Sequence, residues 1–239
     1  MSEWFTRWFG REYLDLYPHR NEAEARAAIA LVESVVDVHS MRRALDLACG
    51  TGRHTRVLCD DVWTVGLDLS AALLAVARDE APRVPYVRGD MRCLPFEGRV
   101  FGLVVNLFTS FGYFDTDEQN RRVLEEVRRV IEPGGWFVLD YLNAHQVHTR
   151  LVPEDTRRVG GRLITQRRRI TADGRYVEKH ISSNDSPQTY LERVRLFDAD
   201  DLRALLGDAG FTIEREFGNY NGAALRRGSQ RVILMSRAA

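Results

Sequence analysis

Acidic residues and glycines stand at a spacing that suits the binding of a ligand with hydroxyl groups. The run 44–48 is apolar apart from Asp46 and predicts a buried strand. It leads into Gly50-Thr51-Gly52, where the backbone must turn sharply and can let a ligand approach closely. Residues 53–59 then predict a helix, so the turn presents backbone N–H groups and a helix N-terminus. Strand, glycine turn and helix in this order are typical of α/β folds that bind a cofactor.

The turn departs from the pattern that binds dinucleotides. Thr55 stands where that pattern has a third glycine, and an acid at position 46 has no use in a dinucleotide site. A second strand, predicted over 62–67, ends at Asp68, whose carboxylate can accept hydrogen bonds from both ribose hydroxyls of an adenosine group. The cofactor is therefore expected to contain adenosine without being a nicotinamide dinucleotide.

Asp46-x-Ala48-x-Gly50-x-Gly52, followed by Asp68, resembles the class I S-adenosylmethionine-dependent methyltransferases. A third strand ending at Gly89, with Asp90 and Met91 at its tip, and a Pro133-Gly134-Gly135 turn before the fifth strand are further matches. The resemblance implies an α/β, Rossmann-like fold with a seven-stranded, mostly parallel sheet, helices on both faces, and S-adenosyl-L-methionine as cofactor. It also implies a set of cofactor-binding residues, namely Tyr17, Arg20, Asp46, Ala48, Gly50, Gly52, Asp68, Leu69, Asp90, Met91 and Asn106.

Aromatic residues recur at helical spacing near the start of the chain. Phe5, Phe9, Tyr13 and Tyr17 are four apart and predict one helix with an aromatic stripe inside an N-terminal helical cap over 1–38. The stripe can simply pack on the core. In small-molecule N-methyltransferases, a similar segment with Tyr and Arg meets the methionine carboxylate, which is the alternative role for Tyr17 and Arg20. Arg offers the bidentate fork that a carboxylate needs.

Residues 151–196 interrupt the alternation of strands and helices. The runs 162–171, 175–182 and 190–197 alternate as strands do, and Ala172-Asp173-Gly174 between the first two signals a hairpin. We expect a small inserted antiparallel β-sheet that acts as a substrate lid, with 39–150 and 197–239 forming the cofactor-binding core. The insert has an excess of basic residues, which could grip an anionic substrate or form a solvated face.

Aromatic and polar residues near the carboxyl ends of the strands are candidates for the substrate site, because ligands bind at this edge of open α/β sheets. The predicted substrate contacts are Phe111, Tyr113, Tyr141, Asn143, Arg193 and Arg195, and the candidate general bases are Tyr113, Tyr141 and His180. The loop after Asn106 lacks the two prolines with which DNA and RNA amine methyltransferases grip a base, so nucleic acid is disfavoured.

The sequence shows no carboxylate pair, no His–carboxylate signature and no cluster with metal-ligand spacing, so no metal is expected. This favours direct methyl displacement by an amine nitrogen of a small molecule. Four alternatives stay open: a quinone-like ring carbon, an oxygen, a tRNA base, or a catalytically silent cofactor-binding module.

Composition adds few constraints. The 239 residues carry no net charge, and the three cysteines suggest no disulfide framework. The sequence shows neither a signal peptide pattern nor an apolar run long enough for a membrane. We expect a cytoplasmic enzyme, monomeric or homodimeric, whose partner is a small-molecule methyl acceptor.

Overall fold

The computed structural model describes residues 3–16 and 22–239. The helices are α1 (Trp4–Trp8), α2 (Arg11–Leu16), α3 (Glu22–Glu33), α4 (Arg53–Leu58), α5 (Ala71–Glu80), α6 (Asp117–Val130), α7 (Ala144–Arg150) and α8 (Ala199–Asp208), with a short 3-10 helix at Val38–Ser40. The strands are β1 (Ala44–Leu47), β2 (Thr64–Asp68), β3 (Tyr86–Arg88), β4 (Phe101–Asn106), β5 (Ile131–Leu142), β6 (Glu154–Val159), β7 (Arg162–Ile170), β8 (Tyr176–Ser183), β9 (Ser186–Arg195), β10 (Phe211–Phe217) and β11 (Arg231–Ala238).

The central sheet has seven strands in the order β10-β11-β5-β4-β1-β2-β3. All neighbours are parallel except that β11 runs antiparallel to both β5 and β10. Alternate residues of β4 point to opposite faces: Val104 packs with α6 and α8, whereas Leu103 and Val105 pack with α3 and α4. Because both faces are covered, the strands are apolar throughout instead of alternating. The predicted seven-stranded sheet with helices on both faces is confirmed.

The N-terminal aromatic residues do not form one helical stripe, so the prediction of a single helix is wrong. The helix is interrupted between α1 and α2 at Gly10, whose N–H donates to the Trp8 carbonyl at 2.7 Å. The break sends the aromatic side chains to different places. Phe5 joins the main core cluster, and Trp8 and Tyr13 join a separate cluster with Ile164 and Ile181 of the insert. Tyr17 lies outside the described residues.

The insert is an antiparallel sheet of four strands, β6-β7-β8-β9, and the prediction of an inserted antiparallel sheet is confirmed. The sequence prediction counted three strands because it missed the turn between β6 and β7. That turn is Gly160-Gly161, with φ of +55° and +83°, which glycine adopts readily. Helix α7, between β5 and the insert, was also not predicted.

The N-terminal helices are fastened to the insert by polar and aromatic contacts. Trp8 packs against Tyr190 with ring centroids 4.6 Å apart and the ring planes tilted by 42°, and its Nε1 donates to Glu192 Oε1 at 2.7 Å. Arg162 of β7 forms an ion pair with Glu12 of α2 at 2.8 Å. The N-terminal helices and the insert, which lie far apart in the sequence, therefore pack against each other. Within residues 3–16 and 22–239, no helix has the length and apolar character needed to cross a bilayer.

Two glycines offer a matched test of packing. An added Cβ at Gly66 of β2 would lie 2.6 Å from Tyr86 Cδ1 and 2.9 Å from Cys49 Sγ, whereas one at Gly207 of α8 would meet no atom within 4 Å. Gly66→Ala should therefore lower the free energy of unfolding by about 1–3 kcal/mol through overpacking. Gly207→Ala should raise it by about 0.5–1 kcal/mol because helical glycine costs backbone entropy. Urea unfolding would measure both changes, and equal effects of the two variants would contradict this packing.

Candidate active site

A cavity of about 570 Å³ opens at the carboxyl ends of β1, β2 and β4, where open α/β sheets bind their ligands. Its floor is the glycine turn after β1. One side is formed by the segments that follow β2 and β3, and another by the loop 107–114 after β4. The N-terminal helices cover it with Phe5, Phe9 and Tyr13.

The glycine turn and Asp68 hold each other in place through hydrogen bonds. Gly50 and Gly52 have φ of +59° and +74°, and Gly52 is the N-cap of α4. The Asp68 carboxylate accepts hydrogen bonds from the N–H of Gly50 and from the N–H of Ser70, both at 2.8 Å. Burial raises the pKa of Asp68, and these N–H groups limit the rise. The carboxylate is thereby fixed at the tip of β2, where it lines the cavity.

A second carboxylate, Asp90, lines the cavity after β3 and is paired with Arg92. Arg92 donates from Nη2 to Asp90 Oδ2 at 2.6 Å and from its backbone N–H to Oδ1 at 2.8 Å. Burial alone would raise the pKa of Asp90, but the hydrogen bonds from Arg92 outweigh it and hold the pKa below its ordinary value. Arg92 also forms an ion pair with Glu3 at 2.7 Å and lies over the Phe114 ring. Sequence reasoning missed Arg92, although it follows the predicted acid by two residues.

Asp46 lies behind the glycine turn and does not line the cavity. It is 1% exposed, and its Oδ2 accepts a hydrogen bond from Thr55 Oγ1 at 2.6 Å. Burial raises the pKa of Asp46 to about 6, and Thr55 and Arg53 oppose the rise. The role of Asp46 that the structure displays is to anchor the start of α4 beneath the turn.

The eleven predicted cofactor residues fall into three groups. Those that line the cavity are Ala48, Gly50, Asp68, Leu69, Asp90 and Met91. Asp46, Gly52 and Asn106 lie behind it; Asn106 donates to the Leu47 carbonyl at 2.8 Å. Tyr17 and Arg20 lie outside the described residues, so their contact with the methionine carboxylate stays a prediction.

Tyr113 is the one predicted substrate residue among the described residues that line the cavity. Its ring stacks on Phe9 with centroids 5.7 Å apart and makes an edge contact with Trp4 at 5.0 Å. The Trp4 Nε1–H also donates to the Tyr113 carbonyl at 3.2 Å. The N-terminal helix α1 therefore fixes the position of Tyr113 in the cavity wall.

Tyr141, Phe111 and Asn143 do not reach the cavity, which corrects their predicted roles. Tyr141 is fully buried, and its hydroxyl donates to the Arg195 carbonyl. Burial raises the pKa of Tyr141 far above its ordinary value, so the hydroxyl is no candidate base. Phe111 packs in the core beside it, with ring centroids 6.2 Å apart. Asn143 caps α7 and accepts from the His145 N–H at 3.0 Å. Proximity to a strand end misled these predictions because side chains alternate between the two faces of a strand.

The predicted insert residues also stay out of the cavity lining. Arg193 pairs with Asp115 at 2.8 Å, and Arg195 pairs with Asp117 at 3.1 Å, so both fasten the insert to the start of α6. His180 lies on β8 with its side chain 43% exposed, 4.0 Å from Glu178. The structure thus supplies acidic partners for the two arginines that the sequence offered as anion-binding residues.

Sequence reasoning missed several cavity residues, chiefly Arg53, His54, Phe108 and Phe114. Arg53 and His54 directly follow Gly52, and that position was the available signal. The aromatic run 107–114 was recognised, but the residues within it that face the cavity were not. Among residues 3–16 and 22–239, no group of three or more His, Cys, Asp or Glu side chains is arranged to hold a metal ion.

The cavity fits S-adenosylmethionine. Two carboxylates, Asp68 and Asp90, stand at the ends of adjacent strands, and the apolar Leu69 and Met91 lie with them in the same cavity lining. There is space for a Cβ at Gly50, since it would come no closer than 3.9 Å to Leu73. The positive φ of Gly50, however, favours glycine at this position. These features suit the ribose, amine and ring of an adenosine group.

Comparisons with known proteins agree with this fit. A model of the family described as "Methyltransferase domain" matches residues 44–135. The chain is 30% identical over 236 residues, covering 92% of this chain and 85% of the relative, to a dTDP-3-amino-3,6-dideoxy-alpha-D-glucopyranose N,N-dimethyltransferase of Streptomyces fradiae. It is 33% identical over 187 residues, covering 76% of this chain and 67% of the relative, to a demethylmenaquinone methyltransferase of Paenarthrobacter aurescens.

The fold also matches a solved structure. An S-adenosylmethionine-dependent methyltransferase from Clostridium acetobutylicum superposes with a TM-score of 0.82 at 18% identity, covering 95% of this chain and 97% of the other. At that identity the likeness concerns the fold. Together with the extent of the Streptomyces match, it identifies the chain as a class I S-adenosylmethionine-dependent methyltransferase.

Proposed function

We propose that this enzyme transfers a methyl group from S-adenosylmethionine to an amine nitrogen of a small molecule, with an amino sugar as the first candidate. The observation that carries the proposal is the chemistry of the cavity wall. Its described lining residues from the N-terminal helices and from loop 107–114 are apolar, aromatic or hydroxylic, and none is charged. An amine needs no general base once it is neutral, so a positioning wall is sufficient.

The cofactor would be held by residues of the core. Asp68 would accept hydrogen bonds from the ribose hydroxyls, Asp90 would accept one from the adenine amine, and Leu69 and Met91 would flank the ring. The bound cofactor supplies a methyl group on a sulfonium that is already activated for displacement. The chain's own contribution is then to align the acceptor and to exclude water.

The acceptor would meet the aromatic wall made by Phe9, Tyr13, Tyr113 and Phe114. Removing an amine from water lowers its pKa, because desolvation disfavours the charged form. The wall therefore favours the neutral amine that can attack. The Tyr113 hydroxyl oxygen is our candidate acceptor for an amine N–H, a hydrogen bond that orients the nitrogen and leaves its lone pair available for attack.

The insert over 151–196 and the cap over 1–38 are proposed to act together as the substrate lid. The contacts of Trp8 with Tyr190 and Glu192 support this, because they tie the cavity cover to the insert. The boundaries of these segments, a cytoplasmic location and a monomeric or homodimeric state remain predictions from the sequence.

A quinone-like ring carbon is the second candidate acceptor. The match to the demethylmenaquinone methyltransferase favours it, and an aromatic wall can stack on a ring. The match to the amino-sugar enzyme spans more of both proteins, which favours the amine.

The test is a methyl-transfer assay that follows formation of S-adenosylhomocysteine. The acceptors would be nucleotide-linked amino sugars, the same sugars with hydroxyl in place of amine, and a reduced naphthoquinone. We expect turnover with an amino sugar and none with its hydroxyl counterpart. Turnover of the naphthoquinone alone would overturn the amine proposal in favour of the ring carbon.

Tyr113→Phe should lower kcat/KM for the amine about tenfold, the effect of one lost hydrogen bond of about 1.4 kcal/mol to the reacting group. Cofactor affinity should not change. Tyr176→Phe is the matched control: the Tyr176 hydroxyl donates to the Asp115 carbonyl at 2.9 Å, outside the cavity. If both variants retain full kcat/KM, Tyr113 does not orient the acceptor.

A further inference from the structure

A buried ion pair lies directly behind the loop that lines the cavity after β4. Asp140 of β5 is fully buried, and its Oδ1 accepts a hydrogen bond from Nε of Arg231, the first residue of β11. The Tyr220 hydroxyl donates to the other carboxylate oxygen at 2.5 Å. None of these three residues is among the described residues that line the cavity.

Asp140 accepts hydrogen bonds from two successive N–H groups of the loop after β4. Its Oδ2 accepts from the Phe108 N–H at 2.8 Å, and its backbone carbonyl accepts from the Thr109 N–H at 3.0 Å. Arg231 adds a third contact, since its Nη2 donates to Thr109 Oγ1 at 3.2 Å. The ion pair therefore holds the loop through hydrogen bonds to its backbone N–H groups and to the Thr109 side chain.

The two residues held by Asp140 and Arg231 are in an unfavourable backbone conformation. Phe108 and Thr109 have φ of +63° and +61°, in the left-handed region that residues other than glycine rarely adopt. The conformation is especially unfavourable for a β-branched residue such as Thr109. Two consecutive residues of this kind persist only when surrounding contacts hold them there. Leu107, Phe108 and Ser110 of the same loop line the cavity, so the strained backbone shapes its wall.

A second ion pair contacts the same aromatic ring. The Arg53 guanidinium lies 4.4 Å from the centroid of the Phe108 ring, and the Arg231 guanidinium lies 5.4 Å from it. Arg53 is held by Glu24 of α3 at 2.7 Å, as Arg231 is held by Asp140. Cations at this distance are attracted to the ring, so two ion pairs from separate elements fix the Phe108 side chain.

We infer that Asp140, Arg231 and Tyr220 are positioning residues for methyl transfer. They hold Phe108 and Thr109 in the left-handed conformation that makes the loop a wall of the cavity beside the glycine turn. The inference rests on the proposed function, because its consequence is measured in methyl transfer. If the network is weakened, the backbone relaxes and the wall moves, which misaligns the reactants while leaving the two cofactor-binding carboxylates in place.

Arg231→Lys is the informative variant. It keeps a cation opposite Asp140 but loses the planar fork that reaches both Asp140 and Thr109. We expect kcat to fall about tenfold or more, because small displacements of reactants have effects of this size. The affinity for S-adenosylhomocysteine, measured by calorimetry, should stay within about threefold, since this is less than the loss of one hydrogen bond. Hydrogen exchange at the Phe108 and Thr109 amides should accelerate.

Arg237→Lys is the matched control. Arg237 lies on the same strand, with its guanidinium 4.1 Å from the centroid of the Trp136 ring, and it donates to the Gly134 carbonyl away from the cavity. This variant should leave kcat and the exchange of the loop amides unchanged. Unchanged kcat and exchange in Arg231→Lys as well would overturn the inference.

A rescue experiment separates positioning from a merely structural role. Thr109→Gly removes the cost of positive φ, so combining it with Arg231→Lys should recover a large part of the lost kcat. Recovery of the melting temperature without recovery of kcat would contradict the inference.

Tyr220→Phe is the fallback variant if Arg231→Lys fails to fold, because it removes only the one hydroxyl that donates to Asp140. Unchanged hydrogen exchange at the loop amides in that variant would count against the network. A wild-type enzyme that methylates no amine refutes the proposed function, whereas the exchange measurements still test the loop.

Discussion

Asp68→Ala is expected to weaken S-adenosylmethionine binding by about 10- to 100-fold, the effect of losing hydrogen bonds to a charged acceptor worth about 1.5–3 kcal/mol. The carboxylate is fixed by the N–H groups of Gly50 and Ser70 and lines the cavity, so it is already oriented for donors from a ligand. Its loss also leaves the Gly50 N–H without its acceptor and loosens the turn. Calorimetric titration with S-adenosylmethionine and S-adenosylhomocysteine would measure the effect.

The control for this experiment is Asp79→Ala. Asp79 lies on α5, is exposed and does not line the cavity, so the variant removes a nearby carboxylate without touching the site. It should bind the cofactor like the wild type. If Asp68→Ala is folded, as judged by its melting temperature, and binds with unchanged affinity, the ribose assignment of Asp68 is wrong.

Asp46 is expected to make stability depend on pH. Burial raises its pKa from 3.8 to about 6, so between these pH values the folded chain holds a proton that the unfolded chain has lost. The free energy of unfolding therefore falls as the pH rises through this window. Two pKa units correspond to about 2–3 kcal/mol, most of which is lost between about pH 4 and pH 7. The contribution is fully present only below about pH 4.

Asp46→Asn should abolish this dependence while keeping an acceptor for the Thr55 hydroxyl. Urea unfolding of both proteins across the pH range gives a difference curve in which other titrating groups cancel. Relative to the variant, the wild type should lose about 2–3 kcal/mol between acid and neutral pH. A difference curve that is flat over this range would show that Asp46 does not carry a raised pKa.

Local sequence patterns were sufficient for the parts of the molecule that depend on neighbouring residues. The glycine turn and the acids at the strand ends carry the resemblance to the methyltransferases, and that resemblance implied the central sheet, the helices on its two faces and six residues that line the cavity, including Asp68 and Asp90. The start of α8 has the same local character, because its capping box joins Asp198 to Asp201, three positions along the chain. These features follow from backbone geometry within a few residues.

The direction of side chains near the strand ends could not be read from the same patterns. Tyr141 and Tyr113 both stand near a predicted strand end, yet Tyr141 is buried in the core whereas Tyr113 lines the cavity. A shift of one position along a strand reverses the face, and loop residues follow no period. The break at Gly10, which divides the aromatic residues between core and insert, depended on packing partners far along the chain.

The sequence by itself determined the fold class, the identity of the cofactor and the carboxylates at the ends of β2 and β3, because the glycine turn and its acids form a short local motif that carries the resemblance to the methyltransferase family. Only the tertiary structure decided which aromatic residues form the cavity wall, that Arg193 and Arg195 fasten the insert to α6, and that Asp140 and Arg231 support the loop 107–110. The physical reason is that ion pairs and cavity walls join residues distant in sequence, such as Asp140 and Arg231, whose contact exists only after β11 pairs with β5.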